Sequence, residues 1–371
     1  MDIQIINPIT HPGWDDLLLS CPGCSFFHSS SWARVLAESY GYTPLYFTVL
    51  EKRKLQALVP IMEVNSFLTG KRGVSLPFTD YCDPINLNGA PFPELLKRII
   101  EYGQKHGWKY LELRGGEKYL RSQEWGDRSQ DSALNPSGSR PAPNTLHPTP
   151  RPSSTYFSHT IDLTQGEKRT FSNLRDSTRR NIKKAVKEGV KVQISQSLDS
   201  VQEFYRLNSI SRKDHGLPPQ PYSFFKKVYE HILVNDFGFV VLASFESRSI
   251  AGEVYFHLKE KAVYKYAASD KSFQHLRANN LLMWEGIREC IRRGCTILSL
   301  GRTDLNHEGL LQFKRGWGST EQQINYYRYD LKNGFFVSGS SKVSGFHNKI
   351  FRNIPIPLLN RLGSILYKHV G

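Results

Sequence analysis

Residues Leu298–Gly318 read LSLGRTDLNHEGLLQFKRGWG, and the remainder of the chain makes sense around them. The apolar run Thr296–Leu300 predicts a buried strand, which Gly301-Arg302-Thr303 should break. A polar loop, Asp304–Gly309, then leads into a short turn carrying Phe313 and Lys314, and Gly316-Trp317-Gly318 closes the segment. A cation beside an aromatic ring at the mouth of a sheet is costly to bury. It is also suited to hold a developing negative charge. The plainer reading of Lys314 is a surface lysine on a helical turn.

Upstream, Ser200–Gly216 and Tyr222–Val234 have helical spacing. Phe239–Phe245 and Ser249–Leu258 read as two strands about the charged turn Glu246–Arg248, and Ala262–Ala268 as a third. Asn279 or Asn280 can cap a helix over Leu281–Arg292, with Gly294 at its end. The first 120 residues repeat this order. FFHSSSWARVLAESY at 26–40 predicts a serine-capped helix that Gly41 stops. Leu45–Leu50 and Leu55–Val64 predict a hairpin about Glu51–Lys54. Val74–Phe78 is another apolar run, Pro93–His106 an amphipathic helix, and Tyr110–Leu113 a strand. The shared order predicts an internal duplication of one α/β unit.

Between the halves, Arg121–Ser154 is rich in Ser, Pro, Gly, Arg and Asp and almost free of aliphatic residues. Such a stretch cannot bury enough apolar area to offset its chain entropy, so it reads as a linker or long loop. Tyr156–Leu163 alternates as a strand does. The run Glu167–Lys191 follows, with the densest charge in the chain. On a helix Arg179, Arg180, Lys183, Lys184 and Lys187 stack along one side, with Leu174, Ile182, Ala185 and Val186 on the other. Like charges at that spacing repel by a few tenths of a kcal/mol per pair. A phosphate-contacting surface is therefore favoured over a merely solvated face. At the other end, Leu358–Tyr367 is amphipathic within a basic tail and carries two readings, packing on the first domain or lying on a membrane surface.

Composition bounds these readings. The chain has 371 residues, 39% of them hydrophobic, enough for two packed domains, and this argues against wholesale disorder. Lys and Arg exceed Asp and Glu by 49 to 34, a formal charge of +15 that asks for a polyanionic partner. The start, MDIQIINPIT, lacks the features of a secretory signal, and no apolar run is long enough to span a bilayer. Five cysteines do not suggest a disulfide framework, so a reducing cytoplasm is expected. Cys21-Pro22-Gly23-Cys24 is a lone C-x-x-C. Ordinary loop thiols are the favoured reading over a redox pair or half a zinc site with His28 and Cys82.

Four segments carry a resemblance: FFHSSSWARVLAESYG, VSLPFTDYCDPI at 74–85, STRRNIKKAVKEGVKV at 177–192, and the run from Tyr264 through GRTDLNHEGLLQFKRGWG. In these the chain resembles the FemAB-like branch of the GNAT acyltransferase superfamily, which includes the peptidoglycan-bridge aminoacyltransferases. The resemblance implies an α/β (α+β) protein of two tandem GNAT-like domains, each a mixed, mostly antiparallel sheet flanked by helices. It implies acyl or aminoacyl transfer to an amine with no metal and no covalent enzyme intermediate. Lys314 beside Phe313 would stabilise the oxyanion, worth on the order of 3 kcal/mol. Two departures stand out. The coenzyme A loop of GNAT proteins has glycines, whereas Gln274-His275-Leu276-Arg277-Ala278 has none where backbone amides would approach a pyrophosphate. The acidic residue often found before the Gly-Arg-Thr turn is here Ser299, which leaves Asp304, His307 and Glu308 as candidates for the general base.

The expectations are then these. Domains cover 1–120 and 156–320, with 121–155 a flexible linker and the tail 321–371 packing on the first domain. Catalysis falls to Lys314, Phe313 and Asp304. Donor phosphates are held by Arg302, Thr303, Arg179, Arg180, Lys183, Lys184 and Asn280. The acceptor groove is lined by Trp32, Asp80, Tyr81, Tyr266 and Trp317. The co-substrate is aminoacyl-tRNA or acyl-CoA, with no other cofactor. The acceptor is an amine of a cell-envelope precursor or surface polysaccharide. The protein is expected to be a cytoplasmic monomer with peripheral contact at the inner membrane surface. The alternatives are an acyl-CoA-dependent N-acyltransferase on an amino sugar and a basic RNA-binding protein without catalysis.

Overall fold

Both charged turns singled out in the sequence make two-residue hairpins. Lys52 and Arg53 have φ of 48° and 61°, and Glu246 and Ser247 have 48° and 63°. Left-handed central residues of this kind match the right-handed twist of the flanking strands. The computed structural model of the protein describes residues 2–87, 92–121, 150–339 and 346–371. Most of the expected linker, 122–149, lies outside the described residues.

In chain order the first half contains β1 (Ile3–Ile6), α1 (Trp14–Leu19), α2 (Ser30–Tyr40), β2 (Thr43–Glu51), β3 (Lys54–Ser66), β4 (Gly70–Val74), β5 (Ile85–Asn86), α3 (Phe92–Lys105), β6 (Tyr110–Leu113) and α4 (Glu117–Leu120). The second contains β7 (Ser154–Asp162), α5 (Gly166–Ser172), α6 (Asp176–Lys187), β8 (Lys191–Ser195), α7 (Leu198–Asp214), α8 (Tyr222–Val228), β9 (Gly238–Phe245), β10 (Arg248–Leu258), β11 (Lys261–Ser269), α9 (Ala278–Arg292), β12 (Ile297–Asp304) and α10 (Glu308–Arg315). A tail of β13 (Thr320–Asp330), β14 (Phe335–Val337), α11 (Phe346–Asn353) and α12 (Ile356–Val370) follows.

The duplication is visible in the pairing. In each half three strands run antiparallel, a helix crosses over, and the next strand returns parallel: β4 with β6, and β11 with β12. These are the two parallel pairings among the described residues. Both are brief, because the strands part after two or three residue pairs. Strand β13 joins the halves. Its Thr320–Tyr326 portion pairs with β7 and its Tyr327–Asp330 portion with β6, giving one continuous sheet.

The core is also shared. Trp32 of α2 is fully buried against Phe26 and Phe27 of the first half and Phe224 and Phe256 of the second. Aromatic packing of this extent across a seam holds the halves as one unit. The tail likewise belongs to both, not to the first domain alone as expected. Helix α12 packs against α7, β3 and α2. Arg72, buried under it, donates to the carbonyls of His369 and Gly371, and Arg212 of α7 donates to Tyr367 Oη.

Several expectations are corrected here. Strand β12 does not break at Gly301. It continues to Asp304 through a bulge opposite β7, with Gly301 at φ +68°. Phe313 and Lys314 sit on a two-turn helix, α10, instead of a turn. Helix α9 begins earlier than expected, capped by Arg277 in the left-handed region, so Asn279 and Asn280 lie in its first turn. Val186, expected on the apolar side of α6, is exposed.

Candidate active site

Past Val263 and Ser299, β11 and β12 diverge, and the loop that follows β4 enters the opening from the first half. Its Asp80 accepts from Lys265 Nζ of β11 at 3.1 Å, and the Phe78 carbonyl accepts from the same nitrogen at 2.6 Å. Lys265 also lies over the rings of Phe27 and Tyr266 at 5.4 Å each. On the other side is Gly301, where an added Cβ would stand 3.1 Å from Asp80 Oδ2. The Asp80 carboxyl is a quarter exposed. Burial alone would raise its pKa, but Lys265, Arg302 and Lys314 reverse that and hold it below the usual carboxylate range.

Lys314 reaches the same place from α10. It is 3% exposed, and its Nζ donates to the carbonyls of Gly301 at 3.0 Å and Arg302 at 3.1 Å. An ammonium has three donors, so one is left for another acceptor. Desolvation, only partly countered by Asp80, pushes its pKa down to about 8. Arg302 spreads its guanidinium over the rings of Tyr156 at 4.5 Å and Tyr326 at 5.3 Å, and Arg114 approaches the other side of this cluster, 5.5 Å from the Tyr326 ring. Tyr326 Oη in turn donates to the Asp80 carbonyl. Carboxylate, lysines, arginines and phenols thus meet where the halves join.

A cavity of about 450 Å³ opens on the other face of α10. The start of α9, the first turns of α6 and one face of α10 enclose it, with Arg175, Asn181, Arg277, Asn280, Gln312 and Phe313 in its wall. A helix N-terminus presents unpaired amide donors and the positive end of its dipole. Here Arg277 takes φ +61°, the conformation a glycine would otherwise supply, and Asp270 fixes the preceding turn by accepting from the Ser272 amide. Arg277 thus makes this turn without a glycine and places a cation there.

The expected site residues therefore separate into groups. Lys314, Arg302 and Asp80 come together at the seam; Phe313 and Asn280 line the cavity. Phe313 packs on Trp317 at 5.9 Å and does not pair with Lys314 as cation and ring. Asp304 is exposed at the end of β12 and shares no hydrogen bond or ion pair with Lys314, so the carboxylate nearest the lysines in effect is Asp80. Thr303 is buried within the strand. Trp32 and Trp317 are at most 1% exposed, so neither lines an open groove; both are core. Tyr266 is packed among Phe224, Phe225 and Phe256 with one face on Lys265. Tyr81 lines a separate shallow groove with Asp83, Glu117 and Lys118. On α6, Arg180, Lys183 and Lys184 are exposed, whereas Arg179 is spent on Asp176 and the Ser172 carbonyl. Cys21 and Cys24 are buried free thiols, and burial raises Cys21 to about 11. They form no metal-competent cluster with His28 and Cys82 among the described residues.

Sequence reading missed Lys265, Arg277 and Arg114. Lys265 had a signal, a lysine between two tyrosines in an apolar strand. Arg277 stood where a glycine was looked for, and only its φ shows that it serves the same turn.

Residues 172–315, from the last residue of α5 to the last of α10, match the model of the Acetyltransferase (GNAT) domain. The crystal structure of FemX has this fold over 90% of this chain and 98% of its own, at 13% identity and a TM-score of 0.68. The C-terminal domain of a putative lysylphosphatidylglycerol synthetase from Agrobacterium fabrum matches at 14% identity and TM-score 0.52 over 84% and 89% of the two chains. A tandem GNAT protein from the clavulanic acid biosynthesis pathway matches at 9% identity and TM-score 0.52 over 89% and 99%. No curated protein matches the chain in sequence. Residues 172–315 are thus similar to a GNAT acetyltransferase domain. The two halves of the chain together share the fold of FemX and of the tandem GNAT protein.

Proposed function

We propose that this protein moves an acyl or aminoacyl group from a phosphate-bearing donor, held at the α9 cavity, to an amine delivered at the seam between the halves. The observation that carries the reading is the cavity itself, with Arg175 and Arg277 in its wall and the exposed Arg180, Lys183 and Lys184 on the same helix as its rim. The acceptor amine attacks the donor carbonyl carbon, Lys314 stabilises the oxyanion with its free N–H, and the alcohol or thiol leaves with the proton the amine gives up. Asp80, kept ionised by Lys265, orients the acceptor. Aminoacyl-tRNA is the favoured donor, because the exposed cations of α6 add a basic surface beside the cavity that suits a polyanionic backbone. The acceptor class is a cell-envelope precursor or surface polysaccharide, reached by a cytoplasmic monomer. Acyl-CoA is the second reading, and what supports it is Arg277, which takes a left-handed turn before α9 and leaves a cation beside the helix's first amides.

Binding of the purified protein to a charged tRNA pool and to acetyl-CoA, side by side at low and moderate salt, tests this. Saturable, salt-sensitive tRNA binding is expected. Reversing Arg180, Lys183 and Lys184 to Glu should reduce the slope of log K against log salt by about two to three. An unchanged slope removes α6 from the donor site, and coenzyme A binding without tRNA binding selects the second reading. Lys314→Met should lower transfer by about 100-fold; full activity in a folded variant would remove the lysine from the mechanism.

A further inference from the structure

Helices α11 and α12 leave an apolar groove of about 710 Å³ open to solvent, walled by Ile350, Ile354, Leu358, Leu362 and Ile365. On α12, Leu359 and Gly363 face the protein, while Leu358, Leu362 and Ile365 recur at helical spacing on the outer side. The row runs on to the end of the helix. His369, next in the same series, is covered by Phe67 from the β3–β4 turn, with ring centroids 4.5 Å apart. Phe67 and Leu68 are themselves more than half exposed, as are Leu358 and Ile365. Three separate segments thus present apolar side chains on one continuous face, which a soluble surface does not keep without use.

Charge says what covers this face. Arg361 and Lys368 stand exposed beside the apolar row of α12, and Arg352 is exposed on α11. Residues 331–371 contain six Lys or Arg and no Asp or Glu. A second copy docked symmetrically would set these cations against each other with no acid from this segment to offset them. An anionic bilayer surface satisfies both features, taking the apolar side chains below the headgroups and pairing the cations with lipid phosphates. Spanning is not an option, since no described helix is long and apolar enough to cross a membrane.

We propose that the face formed by α11, α12 and the Phe67–Leu68 turn docks this protein on an anionic lipid bilayer. The proposal goes beyond the transfer reading and stands on this surface alone, whichever donor is used. The test is co-sedimentation of the full chain with vesicles of phosphatidylcholine, and of phosphatidylcholine mixed with phosphatidylglycerol, at low and high salt. Binding to the mixed vesicles is expected, at least about tenfold weaker on the neutral ones. Leu358→Glu with Ile365→Glu should weaken it about tenfold or more, and Arg361→Glu with Lys368→Glu should remove the preference for anionic lipid. Phe67→Ser, on a different segment, should weaken binding without touching the helices. These positions are on the surface, so thermal melts should show folded variants. No vesicle binding, equal binding to both compositions, or binding that survives the Leu358/Ile365 and Phe67 changes would overturn the proposal. So would self-association of the wild type that those changes abolish.

Discussion

In the first half, β4 and β6 part after Val74 and Glu112, and the half fills the opening with its own loop. Arg114, just past β6, donates to the carbonyls of Leu76 and Thr79 and pairs with Glu112 at 2.9 Å. In the second half, β11 and β12 part in the same way, but the side chain that enters comes from elsewhere. It is Asp80, carried on the far side of that same first-half loop. One loop therefore serves both openings, clamped by Arg114 on one side and by Lys265 on the other. The GNAT match and the cavity at the start of α9 both fall in the second half. Duplicated units need not duplicate chemistry. Here the first supplies a loop and a carboxylate, and the second supplies the lysines and the cavity at the start of α9.

If the loop is a true cross-brace, cutting it should be the most damaging change at the seam. Asp80→Ala leaves Lys265, whose side chain is 5% exposed, without its carboxylate. The expected loss is about 3 kcal/mol, because breaking a buried pair strands the remaining charge. Lys265→Met should cost less, since Asp80 is partly exposed and keeps Arg302 as a neighbour. The double variant should be more stable than the sum of the two losses by about 1–2 kcal/mol. Urea unfolding of all four proteins measures this, and strict additivity would mean that the halves are not braced through this pair.

The second half also carries two buried groups with shifted titration, and they act in opposite directions. Burial pushes Glu253 up to about 8, outweighing the hydroxyls of Tyr255 and Tyr264 that donate to it. The unfolded chain loses that proton near the ordinary value of about 4.3, so stability falls as pH rises from there to about 8. Lys314 is the reverse. The unfolded chain holds its proton up to about 10.4, and the folded protein releases it near 8, so stability rises with pH between the two. Glu253→Gln should abolish the first slope and Lys314→Met the second, the latter worth about 2 kcal/mol between pH 8 and 10. Differences against wild type isolate these groups from others such as His28 of the first half, which burial pushes down to about 4. Parallel curves for wild type and variants would mean that neither group is held as buried as its geometry indicates.

The duplication was legible because it rests on local signals. Both charged turns, both crossover helices and both returning strands are set by residues adjacent in sequence. The family likeness followed from four segments, the most specific being Gly301-Arg302-Thr303 with the Phe313-Lys314 and Trp317-Gly318 pairs after it. What could not be read was everything that depends on the two halves meeting. Trp32 and Trp317 look like groove residues in sequence because large aromatics line grooves as well as cores. Only their neighbours from the other elements show that they are core. Asp80 was a candidate, but its partner Lys265 lies 185 residues away. Strand β13 has alternating residues that suit a strand, yet nothing in them says that one end belongs to each half.

The smallest effects should come from two glycines that hold the shared loop from either side. Gly115 follows β6 and Gly301 lies within β12, and both have positive φ, 139° and 68°. A Cβ on Gly115 would stand 3.0 Å from Asp83 Cα, which is backbone. A Cβ on Gly301 would stand 3.1 Å from the Asp80 carboxylate, which can give by a small side-chain rotation. Alanine in the left-handed region costs roughly 1–2 kcal/mol on conformational grounds. Gly301→Ala should fall at the low end of that range, and Gly115→Ala at its high end because its contact cannot move. Gly301→Ala should also change the pH dependence of stability above pH 8, since Lys314 donates to the Gly301 carbonyl, whereas Gly115→Ala should leave it unchanged. Equal losses and identical pH curves would mean that the two openings are alike, and that the second half's opening owes nothing to the carboxylate lent by the first.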